Sequence, residues 1–194
     1  MALSPDGQTL YAANWGSLSV SVLDLLSGRE VRRLRTLEQP RGLVVDSQGT
    51  LYAASFGGHV VHVFPAGATT ESRRMTMCQN PRHLLLSPDE RQLWVTCTRG
   101  ALGVYDIATG HRVGLATLGA NPRSIARSTD GRYVASANFG GRSITLIDMQ
   151  QRTHRELSTG DGRIVGVALD PNSLRAFGTS WDTSELVVVE PRQH

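Results

Sequence analysis

The sequence contains no lysine, so all 20 of its basic residues are arginine, an imbalance that a GC-rich coding sequence explains most simply. Only two cysteines occur, Cys78 and Cys97, and neither belongs to a CxxC or other metal-ligand pattern. No zinc site is therefore predicted, and two free, half-buried thiols are the expected state, with a disulfide as the alternative. No apolar run approaches the ~18 residues of a membrane-spanning helix, so no membrane span is predicted.

Charge and motifs exclude further classes of function. The net charge of +3 is modest and scattered, which makes nucleic-acid binding a weak hypothesis. The first five residues lack a basic segment followed by an apolar one, so no secretion signal is expected. No Gly-x-Ser-x-Gly elbow, P-loop or HExxH motif is present, and the sequence names no catalytic residue, metal or cofactor. A Ser/His/Asp triad assembled from distant positions stays open.

What the chain does contain is an internal repeat. Residues 2–16 return as residues 43–57, and the same pattern begins again near Leu85, Ala126 and Ala168. Equivalent positions of successive units form a column when the units are aligned. One such column, spaced by 41 or 42 residues, consists of Trp15, Phe56, Thr98, Phe139 and Trp181. A period of this length is typical of repeat architectures.

Within each unit the apolar residues alternate with a period of two, and turn residues such as Pro5-Asp6-Gly7 bound the runs. In the first unit, strands are predicted near residues 2–4, 8–14, 18–24 and 29–36. No segment is long enough for the helical crossover that a parallel sheet requires. The sequence therefore predicts an all-β fold, a β-propeller of four-stranded antiparallel blades.

The repeats divide the chain, as a single domain over 1–194, into units of approximately 1–41, 42–82, 83–123, 124–165 and 166–194. The fifth unit ends after its third strand, which makes about four and three-quarter blades. We expect this chain to be part of a larger ring, because open sheet edges invite aggregation. A five-bladed ring with one thin blade is the alternative, and self-association through open blade edges is a third arrangement.

The Ser-Pro-Asp-Gly turn, the run Leu-Tyr-Ala-Ala-Asn and the run Val-Ser-Val-Leu-Asp resemble the YVTN repeats of surface-layer-type and lactonase-like β-propellers. Residues 131–148 repeat the pattern. The tryptophan–aspartate repeat family is less similar, because Trp181-Asp182 falls in a different turn. The resemblance implies a bacterial propeller, usually of seven blades, in the periplasm or cell envelope. It also implies either a binding scaffold or a hydrolase of sugar lactones.

A second column is basic, and it collects on the face where the blades connect. Its members are Arg41, Arg82, Arg123 and Arg163, each at or just before the start of a predicted innermost strand. Radial repetition converts a sequence column into a ring, so four guanidinium groups should converge around the central channel. His83 and the aromatic column, Trp15, Phe56, Phe139 and Trp181, are placed on the same face and complete the candidate ligand site.

Two interpretations of these columns stay open. In the first, the arginines are repeated because they bond carbonyls of the neighbouring blade, and the aromatic residues because they pack between blades. Alternatively, the arginines form an anion-binding mouth, since guanidinium groups suit carboxylates and phosphates. From the second interpretation we predict a non-enzymatic binding protein for an anionic small molecule or an acidic protein surface. The alternative is a lactonase-like hydrolase, in which Arg82, His83 and Arg123 hold the lactone and activate water.

Overall fold

The computed structural model describes residues 1–170, 173 and 175–190, and all regular structure in this part of the chain is β-strand. The strands, in chain order, are β1 (Ala2–Leu3), β2 (Thr9–Asn14), β3 (Ser19–Asp24), β4 (Arg29–Arg35), β5 (Pro40–Val45), β6 (Leu51–Ser55), β7 (Val60–Phe64), β8 (Arg73–Thr76), β9 (Pro81–Leu86), β10 (Gln92–Cys97), β11 (Ala101–Asp106), β12 (Arg112–Thr117), β13 (Pro122–Arg127), β14 (Tyr133–Asn138), β15 (Ser143–Asp148), β16 (Thr153–Ser158), β17 (Ile164–Leu169), β18 (Ala176–Ser180) and β19 (Leu186–Val189). Within the described ranges, no helix could span a bilayer.

The strands form five separate sheets, and in each sheet neighbouring strands are consecutive in the chain and antiparallel. Four sheets have four strands, and the fifth contains β17, β18 and β19. In the first sheet, both ends of every strand agree with the sequence prediction to within one residue. The all-β prediction is thus confirmed, and the described chain forms a partial β-propeller.

The hydrophobic core lies between the blades as four layers, each built from two neighbouring sheets. Strand β10 shows how one sequence serves two layers. Leu93 and Val95 pack against the second blade, whereas Trp94, which points to the opposite face, packs against the fourth. Because successive strand residues alternate between faces, each central strand must be apolar on both sides.

The carboxylates that close the third strands cap the turns that follow. Asp24 accepts a hydrogen bond from the Ser27 amide at 2.6 Å, and Asp106 accepts one from the Thr109 amide at 2.8 Å. These groups satisfy backbone donors in exposed turns, so their repetition has a structural origin.

The expectation of free thiols is wrong: Cys78 and Cys97 form a disulfide. Cys97 ends β10, and Cys78 lies in the connection that leads into β9, so the bond ties an inter-blade connection to its own blade. In the second blade, Ser55 makes the equivalent tie with Glu38, whose amide donates to the Ser55 hydroxyl at 3.0 Å. Sequence spacing could not identify the pair, because the tie depends on how the connection folds back over the sheet.

We expect loss of the disulfide to cost more stability than loss of the hydrogen-bonded tie. The cysteines are 19 residues apart, and closing a loop of that size is worth about 3 kcal/mol, against about 1 kcal/mol for a neutral hydrogen bond. Urea unfolding of Cys78→Ala/Cys97→Ala and Ser55→Ala should show this order. Dithiothreitol should destabilise the unmodified protein and leave the double variant unchanged; equal midpoints with and without reductant would contradict the bond.

Candidate functional site

Three consecutive blades present an arginine at the second position of their innermost strand. In β5 the pairing register shifts between Pro40 and Leu43, which places Arg41 in a β-bulge. The corresponding shifts in β9 and β13 contain Arg82 and Arg123. A bulge inserts an unpaired residue and changes the direction of its side chain. The same irregularity therefore presents one guanidinium group from each of these blades.

The fourth predicted member of the column, Arg163, does not occupy the equivalent position. In the blades of the other three arginines, the proline before the arginine pairs with the last residue of the second strand. In the fifth blade Ile164 makes this pairing, with Ser180. Val165 therefore stands where Arg123 stands one blade earlier. The expected ring of four equivalent arginines is therefore not formed: Arg163 lies two residues before the bulge position, although its guanidinium carbon is still 4.8 Å from the ring centre of Phe139.

Arg163 is held by an acid of its own blade. Its Nε donates to Asp182 at 2.8 Å, and the two side chains form an ion pair. The Arg163 guanidinium lowers the pKa of Asp182 to about 2. The charge of Arg163 is thus compensated within the protein.

The two predicted columns interleave through cation–π contacts. The Arg41 guanidinium carbon lies 4.1 Å from the ring centre of Trp15 in the preceding blade and 5.0 Å from that of Phe56 in its own. Arg123 lies 3.4 Å from the ring centre of Phe139. These contacts orient the guanidinium groups without using their N–H donors.

The aromatic column is interrupted in the third blade, where Thr98 replaces the ring. Arg82, which precedes it, contacts only Phe56, at 5.8 Å. The Thr98 hydroxyl donates instead to the carbonyl of Asn80 at 3.0 Å. Of the three bulge arginines, only Arg41 therefore lies between two rings.

None of the three bulge arginines is paired with a carboxylate within the described residues. Arg82 donates from Nη1 to the Asn121 side chain at 3.0 Å. Arg123 has a buried Nε without a hydrogen-bond partner in the described structure. For Arg41, the described structure records ring contacts but no hydrogen bond or ion pair. Most of the donors of these groups thus remain free.

Burial and mutual repulsion act on these charges together. Burial and the neighbouring charges of Arg41 and Arg123 lower the pKa of Arg82 to about 10. Burial and the charge of Arg123 also lower the pKa of Arg41. All three groups stay protonated at neutral pH, so the protein holds three positive charges close together at a free-energy cost.

The three arginines open onto one cavity of about 380 Å³. Its lining also includes Met1, Ala13, Trp15, Pro40 and His83, and contains no acidic side chain. We call this cavity and its three guanidinium groups the arginine mouth. Its volume is in the range of small-molecule sites.

His83 contributes a neutral imidazole to the mouth. Its Nδ1 accepts a hydrogen bond from the Ile125 amide at 2.8 Å, so the proton of the neutral ring lies on Nε2. Burial lowers the pKa of His83 to about 4, and the N-terminal ammonium group adds to this effect. The ring therefore acts as a hydrogen-bond donor at neutral pH, and its basic nitrogen is occupied.

The structure brings only part of the predicted aromatic set to the cavity. Trp15 lines it and is 42% exposed. Phe56 and Phe139 contact the arginines but not the cavity. Trp181 is 66% exposed, and no aromatic or cation–π contact involves it in the described ranges.

Two contributors were not recognised in the sequence. Asn121 has a positive φ of 51° and supplies the oxygen that holds Arg82; the recurring Asn-Pro pair before the arginine was the available signal. Gly42 allows two inner strands to approach, because a Cβ there would lie 2.5 Å from the Arg82 carbonyl oxygen. Replacement of this glycine would displace the backbone that carries Arg82 and His83.

Asparagines precede the aromatic residue in the first and fourth blades. They donate to hydroxyls of the third strand of their own blade, at 2.7 Å from Asn14 to Ser21 and 2.8 Å from Asn138 to Thr145. Their role is to tie adjacent strands together.

In the described ranges, no three His, Cys, Asp or Glu side chains are grouped so as to hold a metal ion.

Comparison with known proteins adds a family and a fold. The family model described as SMP-30/Gluconolactonase/LRE-like region matches residues 1–99, half of the chain. No curated protein sequence matches. Among solved structures, Kuenenia stuttgartiensis hydrazine synthase matches with a TM-score of 0.66 and 18% identity, over 98% of this chain and 82% of that one. At this identity the likeness concerns the fold alone.

We expect His83 to be neutral at pH 6, with its proton on Nε2, which nitrogen NMR of the imidazole would detect. Because its pKa of about 4 in the folded state lies below the ordinary 6.5, the unfolded state takes up this proton first, and stability is lost as pH falls from 6.5 towards 4. Urea unfolding of His83→Gln should show a smaller loss over that range than the unmodified protein. A folded-state pKa near 6.5 would contradict the assignment.

Proposed function

This chain belongs to the SMP-30/gluconolactonase/LRE-like family, and we propose that it is a β-propeller binding protein whose arginine mouth holds a small anionic ligand. The observation that carries the proposal is the convergence of Arg41, Arg82 and Arg123 on one cavity without a paired carboxylate. The finer assignment of the blades to YVTN-type repeats rests on the sequence motifs and is part of the same proposal.

The chemistry of the mouth supports an anion with planar oxygen pairs. A guanidinium group has five N–H donors in a fork that matches carboxylate or phosphate. Arg82 uses one donor for Asn121, and ring contacts occupy Arg41 and Arg123 without consuming donors. A bound anion would supply the acceptors and also reduce the repulsion among the three charges.

The alternative structural role of arginine is performed elsewhere in the fold. Arg32 donates to the Gly67 carbonyl of the next blade, and Arg73 donates to the Ala108 carbonyl at 3.0 Å. These residues lie on the outer strands β4 and β8 and link neighbouring blades. No such carbonyl bond is recorded for the three arginines of the mouth in the described structure, which supports a ligand as their partner.

We expect Arg82→Ala/Arg123→Ala to weaken binding of gluconate at least ten-fold, because charge-assisted hydrogen bonds are worth about 1.5–3 kcal/mol each. Isothermal titration calorimetry would measure this, with sorbitol as a neutral ligand of similar shape. Arg29→Ala/Arg155→Ala, on the outer strands β4 and β16, removes the same charge and should leave affinity unchanged. Equal affinity of the Arg82/Arg123 variant and the unmodified protein would refute the proposal.

A second candidate function, lactone hydrolysis, is favoured by the family match and by the donors around the mouth. Arg82, Arg123 and the Nε2–H of His83 could stabilise the oxyanion that forms when water attacks a lactone carbonyl and loses a proton to solvent. The ring C–O bond then breaks, and the ring oxygen takes a proton from solvent to become the hydroxyl of the open acid. The product of that reaction is a carboxylate, which the arginines would also hold. His83 would serve as a donor and not activate water, because its Nδ1 accepts from the Ile125 amide.

For this candidate we expect D-glucono-1,5-lactone to be hydrolysed faster than in buffer, with acid release followed in a pH-stat. Arg82→Ala should lower the rate at least ten-fold, since loss of one oxyanion donor costs about 10²–10³. Arg29→Ala serves as the control. A rate equal to that of buffer would reject hydrolysis and leave the binding function standing.

A further inference from the structure

The arginine mouth carries more positive charge than one carboxylate can neutralise. Arg41, Arg82 and Arg123 line the cavity, and the lining contains no acid. His83 adds no charge at neutral pH, since burial holds its pKa near 4. The contrast with Arg163, which is neutralised by Asp182, shows that the fold can compensate an arginine on this face and does not do so in the mouth.

Arg82 is the central charge of the three, because its strand β9 contacts both β5 and β13. The charges of both Arg41 and Arg123 act on it. A ligand with one negative charge would pair with one guanidinium and leave two repelling groups. The free energy gained from relief of repulsion should therefore rise with each further negative charge of the ligand.

Each of the three guanidinium groups is held by contacts of its own. Arg41 is held between the rings of Trp15 and Phe56, and Arg123 lies against Phe139. Arg82 is held by the Asn121 side chain. They also come from three consecutive inner strands, β5, β9 and β13. Their donors thus come from three separate strands, an arrangement that suits a ligand with more than one anionic group.

We propose that the arginine mouth selects a small polyanion, a molecule with two or more carboxylate or phosphate groups, over a monoanion. The proposal rests on the proposed anion-binding function and adds the charge of the ligand to it. The cavity of about 380 Å³ has room for a tricarboxylate of the size of citrate. Trp15, which lines the same cavity, provides a reporter of occupancy.

The test compares citrate with gluconate at constant ionic strength and pH 7.5, by calorimetry and by tryptophan fluorescence. On the unmodified protein we expect citrate to bind at least 30-fold more tightly. Arg41→Gln should reduce this ratio about ten-fold, mainly by weakening citrate, while Arg29→Gln should not change it. Thermal unfolding of each variant checks that the fold is intact, and the ratio on the unmodified protein requires no variant.

The variant Trp15→Phe tests whether the change in tryptophan fluorescence on citrate binding comes from the arginine mouth. Because Trp94 is buried in the core and Trp181 lies outside the mouth, the variant should lose the fluorescence change, while binding itself is measured by calorimetry on the unmodified protein. A change that persists would mean that citrate binds elsewhere, and the inference would be overturned. Equal affinities for citrate and gluconate would overturn selection of polyanions but leave anion binding intact, whereas binding of neither ligand would overturn both.

Discussion

Burial between blades is the constraint on which this structure depends. Each of the three middle sheets has two apolar faces, and the preceding and following sheets cover them. Leu93 and Val95 on one face of β10 and Trp94 on the other serve two different layers, so neither face can become polar without opening a layer. Radial stacking then follows, and with it the gathering of equivalent positions from successive blades on one face.

The candidate site is a consequence of that stacking combined with a local irregularity. The bulge at the start of β5, β9 and β13 presents an arginine from each strand, and stacking places the three side chains around one cavity. The neighbouring rings orient the guanidinium groups but do not neutralise them. Charge remains uncompensated in the mouth, whereas Arg32 and Arg73 on the outer strands are satisfied by carbonyls of the next blade.

Repetition also shows how different chemistry meets one structural requirement. The connection into each inner strand must be held against its own blade, because it carries the mouth residues. Ser55 does this by exchanging hydrogen bonds with the backbone of Glu38, and Cys97 does it through a covalent bond to Cys78. Cys78 lies four residues before Arg82, so the disulfide stabilises the segment that presents the central charge of the mouth.

Period-two alternation and the step of 41 or 42 residues were enough to determine the antiparallel blades, the strand positions and the face on which the arginines collect, because these depend on local geometry repeated along the chain. Only the tertiary structure decided the rest. Val165, not Arg163, takes the fifth bulge position, because Ile164 makes the pairing that Pro122 makes one blade earlier and Arg163 therefore lies two residues before the bulge position. The tautomer of His83 depends on an amide 42 residues away. Spacing along the chain carries no information about the register of a strand pair or about a donor that comes from another blade.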